Sequence, residues 1–361
     1  MSDPAGMAPF VSDVATPRVR FGAGELACIG DEVDRLAAKR VLVISTRSAA
    51  DAVDAVTPRL GQRLVEQIRG VAMHVPVEVV ADAQQRAEGS GADLLLCIGG
   101  GSAIGLAKAL ALNMKLPIVA VPTTYAGSEM TDIWGRSEGD TKVTGRDRAV
   151  LPRVVVYDPL LTLDFPPELS ATSGMNALAH CVEALYSPSA TPVTSMYAHE
   201  SIEALCSSLP RVIVDPHNVH YREGALFGAC LAGWALNATT MGLHHKLCHV
   251  LGGFGLPHAG VHSVLLPYVV AWVSSAAPQV TEQLSVRHFA GTPPWLGLWE
   301  LGRRLGTPSA LTSVGYRADL EDDVVRHVLA SPPESPRVIT ESAVRAILSD
   351  ASVGAEPAAQ A

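Results

Sequence analysis

The sequence predicts a parallel-sheet α/β domain followed by an all-helical domain. Three observations carry this. Short β-branched apolar runs alternate with helical patterns through the first half, the order that a parallel sheet with helices on both faces imposes. After Asp158 those runs stop and Ala- and Leu-rich helical periodicity takes over. The 361 residues also exceed one typical domain of roughly 100–200. The expected division is an α/β domain at 1–158 and a helical domain at 159–361.

Residues 40–45, RVLVIS, read as a buried strand by their β-branched content. Residues 49–71 read as a helix, 77–80 (VEVV) as a second strand and 93–99 as a third. A helix is expected over 102–113, and further strands over 116–123 and 153–158. Pro159 ends the pattern. Helices are then expected over 173–186, 192–208, 222–237 and 239–251. The small, polar ends 1–14 and 351–361 are expected to be loose, and 331–336 is a Pro-rich loop.

Composition narrows the function. The chain is 48% hydrophobic, 17% charged and 5% aromatic, which supports a sizeable core and argues against disorder. A net charge of -9 argues against partners such as nucleic acid or anionic membrane. An anionic substrate would need a local cationic pocket. The six cysteines are scattered, with no CxxC, and read as free thiols of a reducing compartment. With no signal peptide at the N-terminus and no apolar run of ~18 residues, a cytoplasmic protein is expected.

Gly99, Gly100, Gly101 and Ser102 follow an apolar strand and open a helix. Glycines let a phosphate approach the backbone, the helix N-terminus offers free N–H groups, and Ser102 is a good N-cap. Alone, the triplet is equally a tight turn with no ligand. The usual GxGxxG after the first strand is absent, because that strand leads into Ser45 and Thr46. Ser45 is no carboxylate to grip a ribose diol or repel a 2′-phosphate, so NADH and NADPH are both admitted. Thr123, Thr124 and Ser128 lie in a polar loop at the next strand's C-terminal end, where open α/β sheets bind ligands.

Five of the twelve histidines fall between 244 and 262: His244, His245, His249, His258 and His262. His245 and His249 are four apart on an expected helix and share a face, as do Asn176 and His180 on an earlier one. Together with His258 after Pro257 they could converge on one pocket. Iron or zinc favours imidazole with carboxylate, and Asn176 offers only an uncharged amide. Three imidazoles can still hold zinc, but a metal is less expected here.

GGGS after a strand, PTTYAGSE, NALAH, and HHKLCHVLGG followed by PHA occur in order between about residues 18 and 270. Together they resemble the iron-containing alcohol dehydrogenase family. The resemblance implies that family's fold, shared with dehydroquinate synthases: a dinucleotide-binding domain, a helical domain and an active site between them. It implies the family's metal-ligand positions at Asn176, His180, His245 and His258, with Asn176 where the family has Asp. It implies His249 near the reacting carbon, and Gly100, Gly101 and Ser102 against the pyrophosphate. Thr123, Thr124 and Ser128 would make further cofactor contacts, and Lys142 would lie near the nicotinamide ribose. The GGGSxxD pattern is broken by Gly105.

TTYAGSE, Asn176 and the paired His244–His245 resemble a branch of the family taken to work without metal. That branch reduces the C=C bond of maleylacetate, a small dicarboxylate, to 3-oxoadipate in the breakdown of aromatic compounds. The resemblance also implies a homodimer. In that reaction a hydride reaches the alkene carbon β to the ketone, and charge develops on the ketone oxygen. Donors aimed there matter most, and His180, His245, His249 and His258 could supply them, one as general acid. Lys142, Arg146 and Lys246 are candidate cations for the carboxylates, Lys246 more readily read as surface charge. The rival readings are a metal-dependent alcohol or aldehyde reductase, which bound metal would reveal; a lyase that recycles its nicotinamide, which shows no net cofactor turnover; and a binding protein without turnover.

Overall fold

The computed structural model describes residues 9–71, 77–138 and 141–359. β1 (Arg18–Phe21) is followed by α1 (Ile29–Arg35), β2 (Val41–Ser45), α2 (Ala50–Leu60), β3 (Leu64–Arg69) and α3 (Val77–Ser90). Then come β4 (Leu94–Gly99), α4 (Gly101–Met114), β5 (Ile118–Pro122), a hairpin of β6 (Ile133–Glu138) and β7 (Thr141–Arg146), and β8 (Val154–Tyr157). Six strands form one parallel sheet in the order β1-β8-β5-β4-β2-β3; β6 and β7 pair only with each other, antiparallel.

The sheet alternates with period two, and both faces are buried. Val41, Val43, Leu94, Leu96, Ile98, Val119 and Val121 pack on one side with α1 and α2. Leu42, Ile44, Leu95, Cys97, Ile118, Ala120 and Tyr157 face the other side. There they share one continuous core with the helices that follow β8.

Those helices are α5 (Pro167–Tyr186), α6 (Pro192–Val214), α7 (Val219–Ala238), α8 (Leu243–Gly253) and α9 (His258–Val273). α10 (Pro278–His288), α11 (Pro294–Leu305), α12 (Glu321–Ala330) and α13 (Glu341–Val353) complete the set. The α/β half and the helical half are as the sequence predicts. The helix His258–Ala276, 19 residues, is long and apolar enough to cross a membrane by length and composition. This corrects the expectation that no such run exists. Its apolar stretch is 83% buried against other helices, which accounts for the composition by core packing.

Three local expectations are corrected. Residues 49–71 are not one helix: α2 stops at Gly61 (φ +56°), and β3 follows. Residues 77–80 open α3 instead of forming a strand, because Val80, Ala83 and Ala87 bury one helical face over the next two turns. At the C-terminal end, helix continues through Val353, with Ala351 fully buried.

Candidate active site

Ser45 is level with Ile98, and Gly99 with Pro122, so β2, β4 and β5 end along one edge of the sheet. At Gly99 the backbone takes φ +144°, and a Cβ would lie 2.6 Å from Thr46 Oγ1. A Cβ on Gly100 would lie 2.9 Å from Thr124 Cγ2. The two glycines therefore let three loops close on one another. A Cβ on Gly101 would meet nothing within 4 Å, so the turn is open where α4 begins. Gly100, the N-cap of α4, makes no side-chain capping bond. The first-turn N–H groups and the positive helix end thus meet an open cradle, which fits the pyrophosphate of NADH or NADPH.

Ser102 is the second helical residue and not the N-cap, because two glycines let the helix begin one residue earlier. Ser45 is packed within the sheet, 1% exposed, so its side chain does not line the edge as expected. Thr46 does, its hydroxyl 3.3 Å from that of Ser48. Thr123 N–H donates to the Gly99 carbonyl at 3.1 Å.

The loop after β5 carries the edge towards the histidines. Tyr125 N–H donates to Ser173 Oγ of α5 at 3.1 Å. Gly127 has φ +81°, and a Cβ there would lie 3.3 Å from His180 Nδ1. Lys108, buried on α4, anchors this loop from below. Its Nζ, with three protons to donate, lies 2.7 Å from each of the carbonyls of Ser128, Thr131 and Ile133 and 2.9 Å from Thr131 Oγ1. Burial pulls its pKa down to about 7.

The imidazoles converge as expected. Ring centroids of His180 and His245 are 5.0 Å apart, His245 and His249 6.3 Å, and His249 and His258 5.7 Å. His262 adds itself, 4.8 Å from His245 and 4.3 Å from His258. His244 lies behind, 4.9 Å from His262. Asn176 Oδ1, His180 Nδ1 and His245 Nε2 are buried with no hydrogen-bond partner among the described residues. Buried polar atoms in that state mark where a ligand's polar groups fit. Burial, reinforced by neighbouring imidazoles, holds His180 and His262 well below the ordinary histidine range. Burial also takes His244 to about 4, against the pull of Glu183.

Glu183 is a residue that sequence reasoning missed. It stands one turn beyond His180, seven residues after Asn176, so all three share a face of α5. Its Oε1 accepts from His244 N–H at 3.0 Å, and its Oε2 accepts from the His245 ring Nδ1 in a short contact. Burial alone would raise its pKa, but His245 and the hydrogen bonds outweigh it and hold the carboxylate below its usual range.

The fit to a metal ion is poor at the positions the resemblance implies. They offer an amide and three imidazoles. Among the described residues, the donor trios lying within 4.8 Å of one another are His244–Cys248–His262 and Glu183–His244–His245, not His180, His245 and His258.

The cations fare differently. Arg146 is taken up elsewhere: Nη1 donates to Asp132 Oδ1 at 2.9 Å and the Asn237 carbonyl at 3.0 Å, and Nη2 to the Thr239 carbonyl at 3.1 Å. It staples the β6–β7 hairpin to the end of α7, so the guanidinium expected to face substrate is already engaged by protein acceptors. Lys246 points to Ser331 Oγ at 2.8 Å, on the surface. Lys142 lies on β7; its side chain falls outside the described residues.

A dinucleotide cradle joined by one loop to a buried imidazole cluster defines a nicotinamide-dependent oxidoreductase. Residues 16–159 match the model for iron-containing alcohol dehydrogenase, and 170–352 match that of the C-terminal region of the Fe-containing alcohol dehydrogenase family. The chain belongs to the iron-containing alcohol dehydrogenase family. It is 44% identical to maleylacetate reductase of Sphingobium indicum, over 96% of this chain and 99% of that one. It is 42% identical to maleylacetate reductase of Rhizobium sp., over 97% and 100%. The crystal structure of maleylacetate reductase from Agrobacterium tumefaciens matches it with a TM-score of 0.92 at 44% identity, covering 97% of this chain and 100% of that one.

Proposed function

We propose that this chain reduces the C=C bond of maleylacetate to give 3-oxoadipate, with NADH or NADPH and without a metal ion. The carrying observation is Asn176 beside buried, neutral imidazoles, in a chain more than 40% identical to maleylacetate reductases along nearly all its length. The same reading includes a domain division near 158/159, a homodimer and a cytoplasmic location. All six cysteines being free thiols supports the last.

The reduced nicotinamide supplies the hydride when bound. The residues of the chain bind, orient and protonate. Gly99, Gly100, Gly101 and Ser102, with Thr46, Thr123, Thr124 and Ser128, hold the cofactor at the sheet edge. Charge then develops on the ketone oxygen of the substrate, where His180 and His245 supply preorganised polar contacts in a water-poor site. His249 and His258, only partly buried, are assigned the protonation at the α carbon. Asn176 Oδ1 orients the bound molecule. Lys142 is assigned a substrate carboxylate, now that Arg146 is engaged elsewhere.

The test is oxidation of NADH and of NADPH by purified protein with maleylacetate, identifying the product. Formation of 3-oxoadipate is expected. Turnover of simple aldehydes with none of maleylacetate favours the alcohol dehydrogenase reading instead.

A further inference from the structure

Glu183 is 1% exposed, yet both of its carboxyl oxygens accept hydrogen bonds from backbone N–H groups, the acceptor-only pattern of an ionised carboxylate, in an otherwise apolar stretch of α5. Such burial is costly unless the charge is fully partnered, and its partners show what it is for. All but one belong to the first turn of α8. Oε1 accepts from His244 N–H at 3.0 Å, and Oε2 from His245 N–H at 3.3 Å and from the His245 ring. The remaining contact is Tyr186 O–H, which donates to Oε1 at 3.3 Å.

The N-cap of α8 is Gly242, which has no side chain to cap with and makes no capping bond. A Cβ at Gly242 would lie 3.0 Å from Glu183 Oε1. The glycine thus makes room for a carboxylate delivered by another helix. That carboxylate meets both the exposed N–H groups and the positive end of the α8 dipole.

An ionised carboxylate only accepts hydrogen bonds, so the ring nitrogen facing it must carry the proton. For the neutral ring this defines the tautomer of His245: N–H at Nδ1 and a bare Nε2. Nε2 is buried with no partner among the described residues, and the ring lies 5.0 Å from His180.

We infer that Glu183 is the positioning residue of this site: one carboxylate caps α8 and locks the His245 ring so that Nε2 is the atom it presents to substrate. This rests on the preceding assignment of His245 to the substrate site. Nε2 can donate to the ketone oxygen once it has taken up a proton from solvent, and the carboxylate behind the ring balances the positive charge this places on the imidazole. Glutamine at 183 keeps one acceptor and puts a donor where the second stood. It preserves shape while ceasing to enforce a single ring state.

The experiment uses the full-length chain labelled with 15N-histidine, with His245→Asn to assign the ring signals. The native chain is expected to show a protonated, pyrrole-type Nδ1 and a pyridine-type Nε2 at His245. Glu183→Gln, folded by circular dichroism and still binding NADH, is expected to lose about 10- to 100-fold in kcat with maleylacetate, as loss of outer-shell partners does. Its KM values should move less than kcat. A proton on Nε2 of neutral His245 in the native chain overturns the inference, as does a folded Glu183→Gln variant with native kcat. If Glu183→Gln fails to fold, the ring signals of the native chain decide alone. If the native chain ignores maleylacetate, the proposed reaction fails while the ring signals still judge Glu183.

Discussion

At the level of single residues, α8 separates two neighbours by what each touches. His245 has its Nδ1 on Glu183 and its Nε2 buried among imidazoles, whereas Lys246 reaches only Ser331 at the surface. Replacing His245 by Asn is expected to lower kcat with maleylacetate between about a hundredfold and ten-thousandfold, the range of a positioned proton-handling group. Replacing Lys246 by Ala is expected to leave it within about twofold, since surface changes cost little. Equal effects at the two positions would remove His245 from the site. The histidines were legible because a spacing of four is a helical face, and because five fell in one short segment. Glu183 and Lys108 were not. Each is a lone charge in an apolar helix, and only the spacing of three from His180 and seven from Asn176 set Glu183 apart. Their partners, the first turn of α8 and the 128–133 loop, are known only once the chain is folded. The partners of Arg146 were not legible for the same reason: Asn237 and Thr239 are about ninety residues away in sequence.

Among the elements, the cofactor edge depends on how closely backbone can approach backbone and ligand. Gly99 could not carry a side chain without meeting Thr46, but a Cβ on Gly101 would enter open space beside the start of α4. Gly101→Ala is therefore expected to leave the melting temperature unchanged. It should raise KM for NADH by about tenfold or more, equivalent to about 1.4 kcal/mol, because the methyl group stands where a pyrophosphate must come close. An unaltered KM would place the cofactor elsewhere. Strong elements such as β2, β4 and α4 were readable because apolar content and period agreed. β1 and β3 were not, since both are edge strands with partly exposed sequences, RVRF and LVEQIR. The four residues VEVV have the composition of a strand. They became helix because the burial of Val80, Ala83 and Ala87 outweighs local β-propensity.

For the molecule as a whole, burying several neutral imidazoles couples stability to pH. The folded state keeps His180, His244 and His262 uncharged, His244 down to about 4, while an unfolded chain protonates them near 6.5. Below that value the unfolded state binds more protons, so stability falls as pH falls. Glu183, held low in the fold, adds a loss of the same sign at lower pH. The melting temperature is expected to fall gently from pH 8 to 7, where Lys108 is protonated in the unfolded chain but only partly in the fold, and more steeply from about 6.5 to 4.5, before most carboxylates are protonated. A flat profile down to pH 5 would mean that the imidazoles are solvated. The two-part architecture was legible because the change of texture after Asp158 coincides with the last strand of the sheet, β8. The single core that joins the halves was not, since it is made by Leu42, Leu95 and Tyr157 meeting residues of α5 and beyond.

In the proposed reaction the reduced nicotinamide delivers hydride to a conjugated alkene, and buried imidazoles lacking the family's acidic ligand stabilise the developing charge by hydrogen bonding. This is tested most directly by turnover of maleylacetate with NADH after exhaustive chelation, with iron and zinc measured in the same sample. The account predicts undiminished kcat with metal far below one ion per chain. Loss of activity that added iron or zinc restores would contradict it.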